Sequence, residues 1–332
     1  VLDVLHKTRH GTSQNEIQRR SATGGWVSGG QRRCLDYELS SPMSETNSTQ
    51  FFRVPRHDFD PSKHRDLYAA DCEELDELLA QGPEDLGWVE WTGSLGEGIL
   101  ERGSVFDRES PRLPLAARIL AQARTALLVL RSAPWDSEVR VPFNDSELVL
   151  RAQADGSRSN VGTWLDAYAA ALMARDERSL ELLAGIDDAV LRQSSTLSDD
   201  CMYSWKAALV TCRTDPEASL RHLESAVRQN QSSWGPLIAH PGAILARAAC
   251  YPLLGYLLRG DEGAFNAGLA AALEAHKAFW GNERSQQSTG WVAREPLALA
   301  CLARDRGMAI RVESEYLITP LIEHGTRGEA PH

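Results

Sequence analysis

Histidines, paired carboxylates and cysteines are the residues of this chain that could carry chemistry, and their spacing argues against most of it. Glu274 and His276 lie two apart in a helical segment, so they point to different faces and cannot share a metal ion. His276 instead continues an apolar stripe of Phe265, Leu269, Leu273 and Trp280, which suits a hydrogen-bonded core histidine better than a ligand or base. His240-Pro241-Gly242 has turn chemistry and reads as the start of a helix over Ala243 to Leu258. His64 and His222 fall on charged helix faces. Asp187-Asp188 and Asp199-Asp200 occupy loop or helix-start positions, where carboxylates favour the helix dipole, so glycosidase-like acid/base work is a poor fit. The chain has no HExxH, no Gly-rich phosphate loop ending in Lys-Ser/Thr and no Gly-x-Ser-x-Gly elbow. No catalytic residue, metal or cofactor is therefore expected. The six cysteines form no CxxC pair and read as reduced, four of them as small core residues.

The elements that must position these residues are helices. A first helical pattern follows Asp60-Pro61 and runs through Leu67, Ala70, Leu75 and Leu78 to Gly82-Pro83; a second region holds Trp88 and Trp91. A third, Leu113 to Leu130, carries little charge besides Arg118 and Arg124 and reads as buried all round. Between Val139 and Ala152 the period changes to two across Asn144-Asp145-Ser146-Glu147, the pattern of a β-hairpin and of the single sheet expected here. Helices then resume, with Trp164, Tyr168 and Leu172 stacked along one stripe.

The second half contains a degenerate repeat. Arg175-Asp176, Arg213-Thr214-Asp215, Arg259-Gly260-Asp261 and Arg304-Asp305 each place a cation at a helix C-terminus and an Asp able to cap the next helix. Their spacing is that of one αα-hairpin, so the fold class is all-α: stacked antiparallel helical hairpins, tetratricopeptide- or HEAT-like in spirit, with one β-hairpin near residues 139–152. Near the C-terminus, Pro296 opens a helix closed by Arg304, Arg306 and Gly307, and Ser314 is placed to cap a last short helix broken by Pro320.

The formal charge of −11 is unevenly spread: residues 1 to 56 carry eight Lys/Arg against five Asp/Glu, or +3, which leaves −14 for the rest. That acidity argues against a nucleic-acid partner and suits a basic protein, although solubility alone is reason enough for it. No run reaches the roughly 18 apolar residues of a membrane span, so no membrane partner and a cytoplasmic location are expected. Residues 1–50, rich in Ser, Thr, Gly, Gln and Asn, read as disordered or as an over-extended start, with Met43 as the alternative beginning; 51–324 reads as one helical domain and 325–332 as a tail.

Three segments taken together, His276-Lys277-Ala278-Phe279-Trp280, Pro296 through Gly307, and Val312-Glu313-Ser314-Glu315-Tyr316-Leu317, resemble the immunity protein 49 family of bacterial polymorphic-toxin systems. Val54-Pro55-Arg56-His57 extends the resemblance toward the N-terminus. The resemblance implies a mostly helical cytoplasmic protein that binds and neutralises a cognate protein toxin without catalysis. A helical-repeat adaptor in signalling or regulation would share the architecture. The residues singled out for toxin contact are Trp234 and Trp291, whose neighbours are polar as at binding hot spots, and Glu313, Glu315 and Tyr316 of the signature.

Overall fold

The computed structural model describes residues 50–83, 85–152, 159–232 and 247–324. Helix α1 (Arg65–Gln81) follows a 3-10 turn at Ser62–His64 and stops where Gly82 takes φ +83°. Helix α2 (Leu86–Phe106) starts where Asp85 accepts a hydrogen bond from the Trp88 N–H at 2.8 Å, an N-cap that satisfies one of the open backbone donors. Antiparallel to it runs α3 (Arg112–Ser132). Glycines set their separation. A Cβ on Gly93 would lie 2.8 Å from Ala123 Cβ, and one on Gly96 would lie 2.9 Å from the Ala116 carbonyl oxygen. Two glycines one turn apart on α2 thus let the backbones approach.

Helix α3 is the central element, packed by α2, α4 (Val161–Ala174), α5 (Glu177–Ala184), the β-hairpin and α12 (Thr319–His324). It is long and apolar enough to cross a membrane, but two thirds of its apolar stretch is buried inside the protein. Ile119, Leu120, Ala123, Ala126 and Leu130 belong to the core of this unit.

The hairpin is as expected. β2 (Glu138–Phe143) pairs antiparallel with β3 (Ser146–Arg151), and Asn144 and Asp145 take φ +42° and +64°, the left-handed pair that a two-residue turn of this twist requires. It is not the single sheet. β1 (Phe52–Val54) and β4 (Val312–Ser314) pair in parallel and tie the two ends of the described chain together. The sequence concealed this because each strand has three residues, too few to show a period.

Helices α6 (Asp188–Leu191), α7 (Asp200–Thr211), α8 (Pro216–Ser232), α9 (Tyr251–Arg259) and α10 (Glu262–Trp280) continue as hairpins, and α11 (Arg294–Asp305) returns against α4. With 66% of the described residues in helices, the fold is predominantly α. Three of the four predicted junctions are helix-to-helix caps: Asp176 accepts from the Ser179 N–H, Asp215 from Ala218 and Asp261 from Ala264. The fourth differs. Asp305 is the last residue of α11, so the helix ends where expected, but no helix comes directly after it and its carboxylate instead receives the Arg175 guanidinium at 3.1 Å, linking the first junction to the last. Pro296 is the third residue of its helix instead of the first. Pro320 opens α12 and does not break it, since a first-turn proline gives up only an N–H that would be unpaired anyway. Ser314 is the last residue of β4 and its Oγ accepts from the Tyr316 N–H. The turn at His240 and the segments 1–49 and 325–332 lie outside the described residues; of the helix read from Ala243, the described part breaks near Ala249 and restarts at Tyr251, where Pro252 is tolerated in the first turn.

The aromatic stripe of α4 is present, with Trp164 and Tyr168 stacked at 4.7 Å. Their polar tips reach neighbouring backbone: Trp164 Nε1 donates to Leu183 and the Tyr168 hydroxyl to Leu209. All five described cysteines are free. Burial pushes the thiol of Cys212 up to about 11 and that of Cys301 up to about 12, so both stay protonated and inert.

Gly96→Ala tests the helix seam. The backbone of α3 cannot yield as a side chain could, so overpacking of about 1–3 kcal/mol should outweigh the roughly 1 kcal/mol that alanine gains in helix propensity. Thermal unfolding should show a lower Tm; an unchanged or higher Tm would mean that α2 stands off from α3.

Candidate functional site

Two of the predicted contact residues, Glu315 and Tyr316, converge on Arg56 and His57 where β4 meets β1. The Arg56 N–H donates to Glu315 Oε2 at 3.0 Å, and its guanidinium donates to Ser104 Oγ at 2.9 Å and to the Glu315 carbonyl. Tyr316 is fully buried; its hydroxyl accepts the His57 N–H at 3.0 Å and lies 2.6 Å from His57 Nδ1. Burial lowers the His57 pKa, which keeps the ring neutral, so the hydroxyl donates to Nδ1 while Nε2–H donates to the Ser285 carbonyl at 3.2 Å. His276 stands edge-on to the Tyr316 ring at 4.8 Å and donates through Nε2 to the Gly290 carbonyl at 2.9 Å. Gly290 must be glycine for this: a Cβ there would fall 2.5 Å from the Trp280 ring. His276 is thus the core histidine that its stripe predicted.

Trp291 does not lie in the open. It is completely buried, stacked on Phe59 at 4.5 Å, with His64 against its edge. The polar character of the loop comes from Asn282, Glu283, Gln286 and Gln287, which are exposed, whereas Val292 and Ala293 are buried beside Trp291. Trp291 and Tyr316 therefore present no area to a partner in this structure; they hold β1 and β4 in place. Glu313 points outward, loosely paired with Arg53 at 3.8 Å, and Glu315 is half-buried. Trp234 lies outside the described residues.

A second group of charged residues was not singled out from the sequence. On α2, Glu90 and Glu97 are seven residues apart; on α3, Arg124 and Arg131 are too, and the antiparallel seam pairs Glu90 with Arg131 and Glu97 with Arg124. From Glu97 the network runs to Arg294, and from Arg124 through Asp166 to Arg247 and Glu295. Burial would raise the Glu97 pKa, but Arg294 and Arg124 hold it below the usual carboxylate range. The heptad spacing on α2 and α3 was the available signal; the remaining members come from elements far apart in sequence. Every cation in the ladder has an anion, an arrangement that fixes geometry and leaves no carboxylate free as a base.

Glu101 is the exception. It is 4% exposed, Oε2 accepts from Ser288 Oγ at 2.7 Å, and Oε1 has no partner among the described residues. Burial raises its pKa to about 7, with Arg294 opposing and the Glu97 charge adding to the rise. Among the described residues no group of His, Cys, Asp and Glu could hold a metal ion. Of the exposed aromatic side chains, Phe51 lies directly before β1 and is 63% exposed, whereas two tryptophans lie elsewhere. Trp135, in the break before β2, is 72% exposed, and Trp91 is 38% exposed with its Nε1 held by Glu74 at 2.8 Å.

Tyr316→Phe should keep the ring contacts but strip His57 of the hydroxyl that makes two of its hydrogen bonds, costing about 1–3 kcal/mol in denaturant unfolding. A neutral result would indicate that water replaces the hydroxyl. Glu101 gives a pH signature. Because its folded pKa of about 7 exceeds the unfolded value near 4.5, its contribution is fully present below the lower value and is lost as pH rises through the upper one. His276, lowered by burial to about 4, acts in the opposite sense and weakens the fold in acid below 6.5. The difference between Glu101→Gln and the parent isolates the first effect: the variant's relative stability should increase by a few kcal/mol from about pH 5 to about pH 8. A pH-independent difference would show that Glu101 is ionised throughout.

No curated protein and no solved structure matches the chain. The family model of immunity protein 49 matches residues 109–317, from the start of α3 through the signature in β4 and beyond to Leu317. The helical architecture and the signature residues that join β4 to β1 agree with that match, and the chain belongs to the immunity protein 49 family.

Proposed function

We propose that this protein binds a cognate protein toxin in the cytoplasm and neutralises it by occlusion, without catalysis. Membership of the immunity family carries the reading. The rest of the described residues are consistent with it: capped helices, an ion-pair ladder across the main seam and the β1–β4 clamp make a body that can cover a surface without rearranging. The net charge of −11 would speed encounter with a basic toxin. His276, the best-placed histidine for an enzyme, is spent on a backbone carbonyl and an aromatic ring.

The accessible residues from the signature are Glu313 and Glu315, and Trp135 is the most exposed aromatic side chain of the described residues. A tryptophan anchor commonly carries more than 1 kcal/mol of binding energy, enough to change affinity about tenfold. Co-expression with the C-terminal domain encoded beside this gene should restore growth and yield a complex that purifies intact. Trp135→Ala should weaken that complex about tenfold or more, with Glu313→Ala acting mainly on the association rate. Loss of both rescue and complex against every neighbouring candidate would overturn the reading.

A further inference from the structure

The β2–β3 hairpin has two outer edges, and they are not equivalent. The two-residue turn makes Phe143 and Ser146 a hydrogen-bonded pair, as are Val141 with Leu148 and Val139 with Leu150. Backbone bonds at the open end, Ala152 N–H to Ser137 and Asp136 N–H to Ala152, agree with that parity. The N–H groups of Glu147, Val149 and Arg151 therefore point away from β2, and among the described residues none of the three has a partner. On β2 the corresponding edge is interrupted by Pro142, which has no N–H to offer. β3 is thus the edge that can be extended.

Its side chains narrow the choice of strand. Glu147, Val149 and Arg151 all lie on the face turned away from α3, with Val149 48% exposed between an acid and a base. A two-fold axis through Val149 would set Val149 against Val149 of a second copy, and Glu147 opposite Arg151 in both directions. On the other face the same register would bring Leu148 against Leu150, which is only partly buried in the single chain. The existing partners would join in: Glu147 already receives Arg140 at 3.2 Å and Arg178 at 3.0 Å, and Arg151 lies 3.7 Å from Asp136. A Glu-x-Val-x-Arg strand is self-complementary when antiparallel, as a closed two-fold contact requires.

We infer that β3 pairs with β3 of a second copy of this chain, antiparallel and centred on Val149, to give a continuous four-stranded sheet. The interface differs from the toxin-contact residues proposed above and stands without them.

The mass of the full chain in solution, measured by light scattering or sedimentation across a dilution series, should be that of a dimer dissociating at low concentration. Val149→Pro removes the central N–H, which the single chain does not use, and should give a monomer with unchanged circular dichroism. Glu147→Arg should do the same by facing Arg151 with a like charge, and adding Arg151→Glu should restore the dimer. A parent that is monomeric at every concentration overturns the inference, as does a dimer that survives both Val149→Pro and Glu147→Arg. A monomeric parent that loses toxin binding on Val149→Pro would also overturn it, and would assign the edge to a strand of the toxin.

Discussion

The close approach of α2 to α3 is the constraint on which the rest of the structure rests. Gly93 and Gly96 remove the side chains that would hold the helices apart, and Ala116 and Ala123 meet them from the other side. Glycine within a helix costs roughly 1 kcal/mol of propensity, so the arrangement is stable only because the contact returns more in packing. Once the backbones are this close, Glu97 meets Arg124 at 2.8 Å, and Glu97 can also take Arg294 from the far end of the chain. The seam therefore fixes the position of α11, and α11 leads into β4.

Such a ladder is weak support for stability on its own, because taking charges out of water offsets much of their mutual attraction. Its effect is on register. Sliding α3 along α2 by one turn would leave buried or half-buried charges facing apolar side chains, whereas apolar contacts alone would tolerate the slip. Glu101, one turn beyond Glu97, shows the other side of the same physics: with a hydroxyl for a partner and no adjacent guanidinium bound to it, burial shifts its protonation equilibrium.

Local signals were legible and long-range ones were not. Asp176, Asp215 and Asp261 cap helices as their positions suggested, and the Asn144-Asp145 turn was readable because a helix period gave way to a period of two. Asp305 looked like its counterparts in sequence, yet it ends a helix without capping another and pairs with Arg175, a contact between residues 130 apart. The parallel pairing of β1 with β4 left no periodic trace. Trp291 shows a related limit: polar neighbours in sequence say how a loop meets water, not which way its one large ring turns. That ring faced Phe59 and His64, residues from the opposite end of the chain.

The residues that carry the family resemblance are mostly interior, and this bears on where specificity resides. Tyr316, His276, Trp280 and Gly290 constrain one another through contacts that a single methyl group would disrupt. A signature built this way identifies the fold, because packing punishes its change whatever the partner. Outward positions such as Trp135, Val149 and Glu313 carry no such burden in the single chain. A scaffold of this kind separates two demands: the buried clamp and the seam keep one shape, while the outer face of the hairpin and the rim of β4 are free to match a particular surface. On the toxin-binding reading proposed above, rigidity in the first group would make discrimination by the second effective, since a body that cannot adapt rejects a poorly fitting partner by leaving its charges and aromatic rings uncovered.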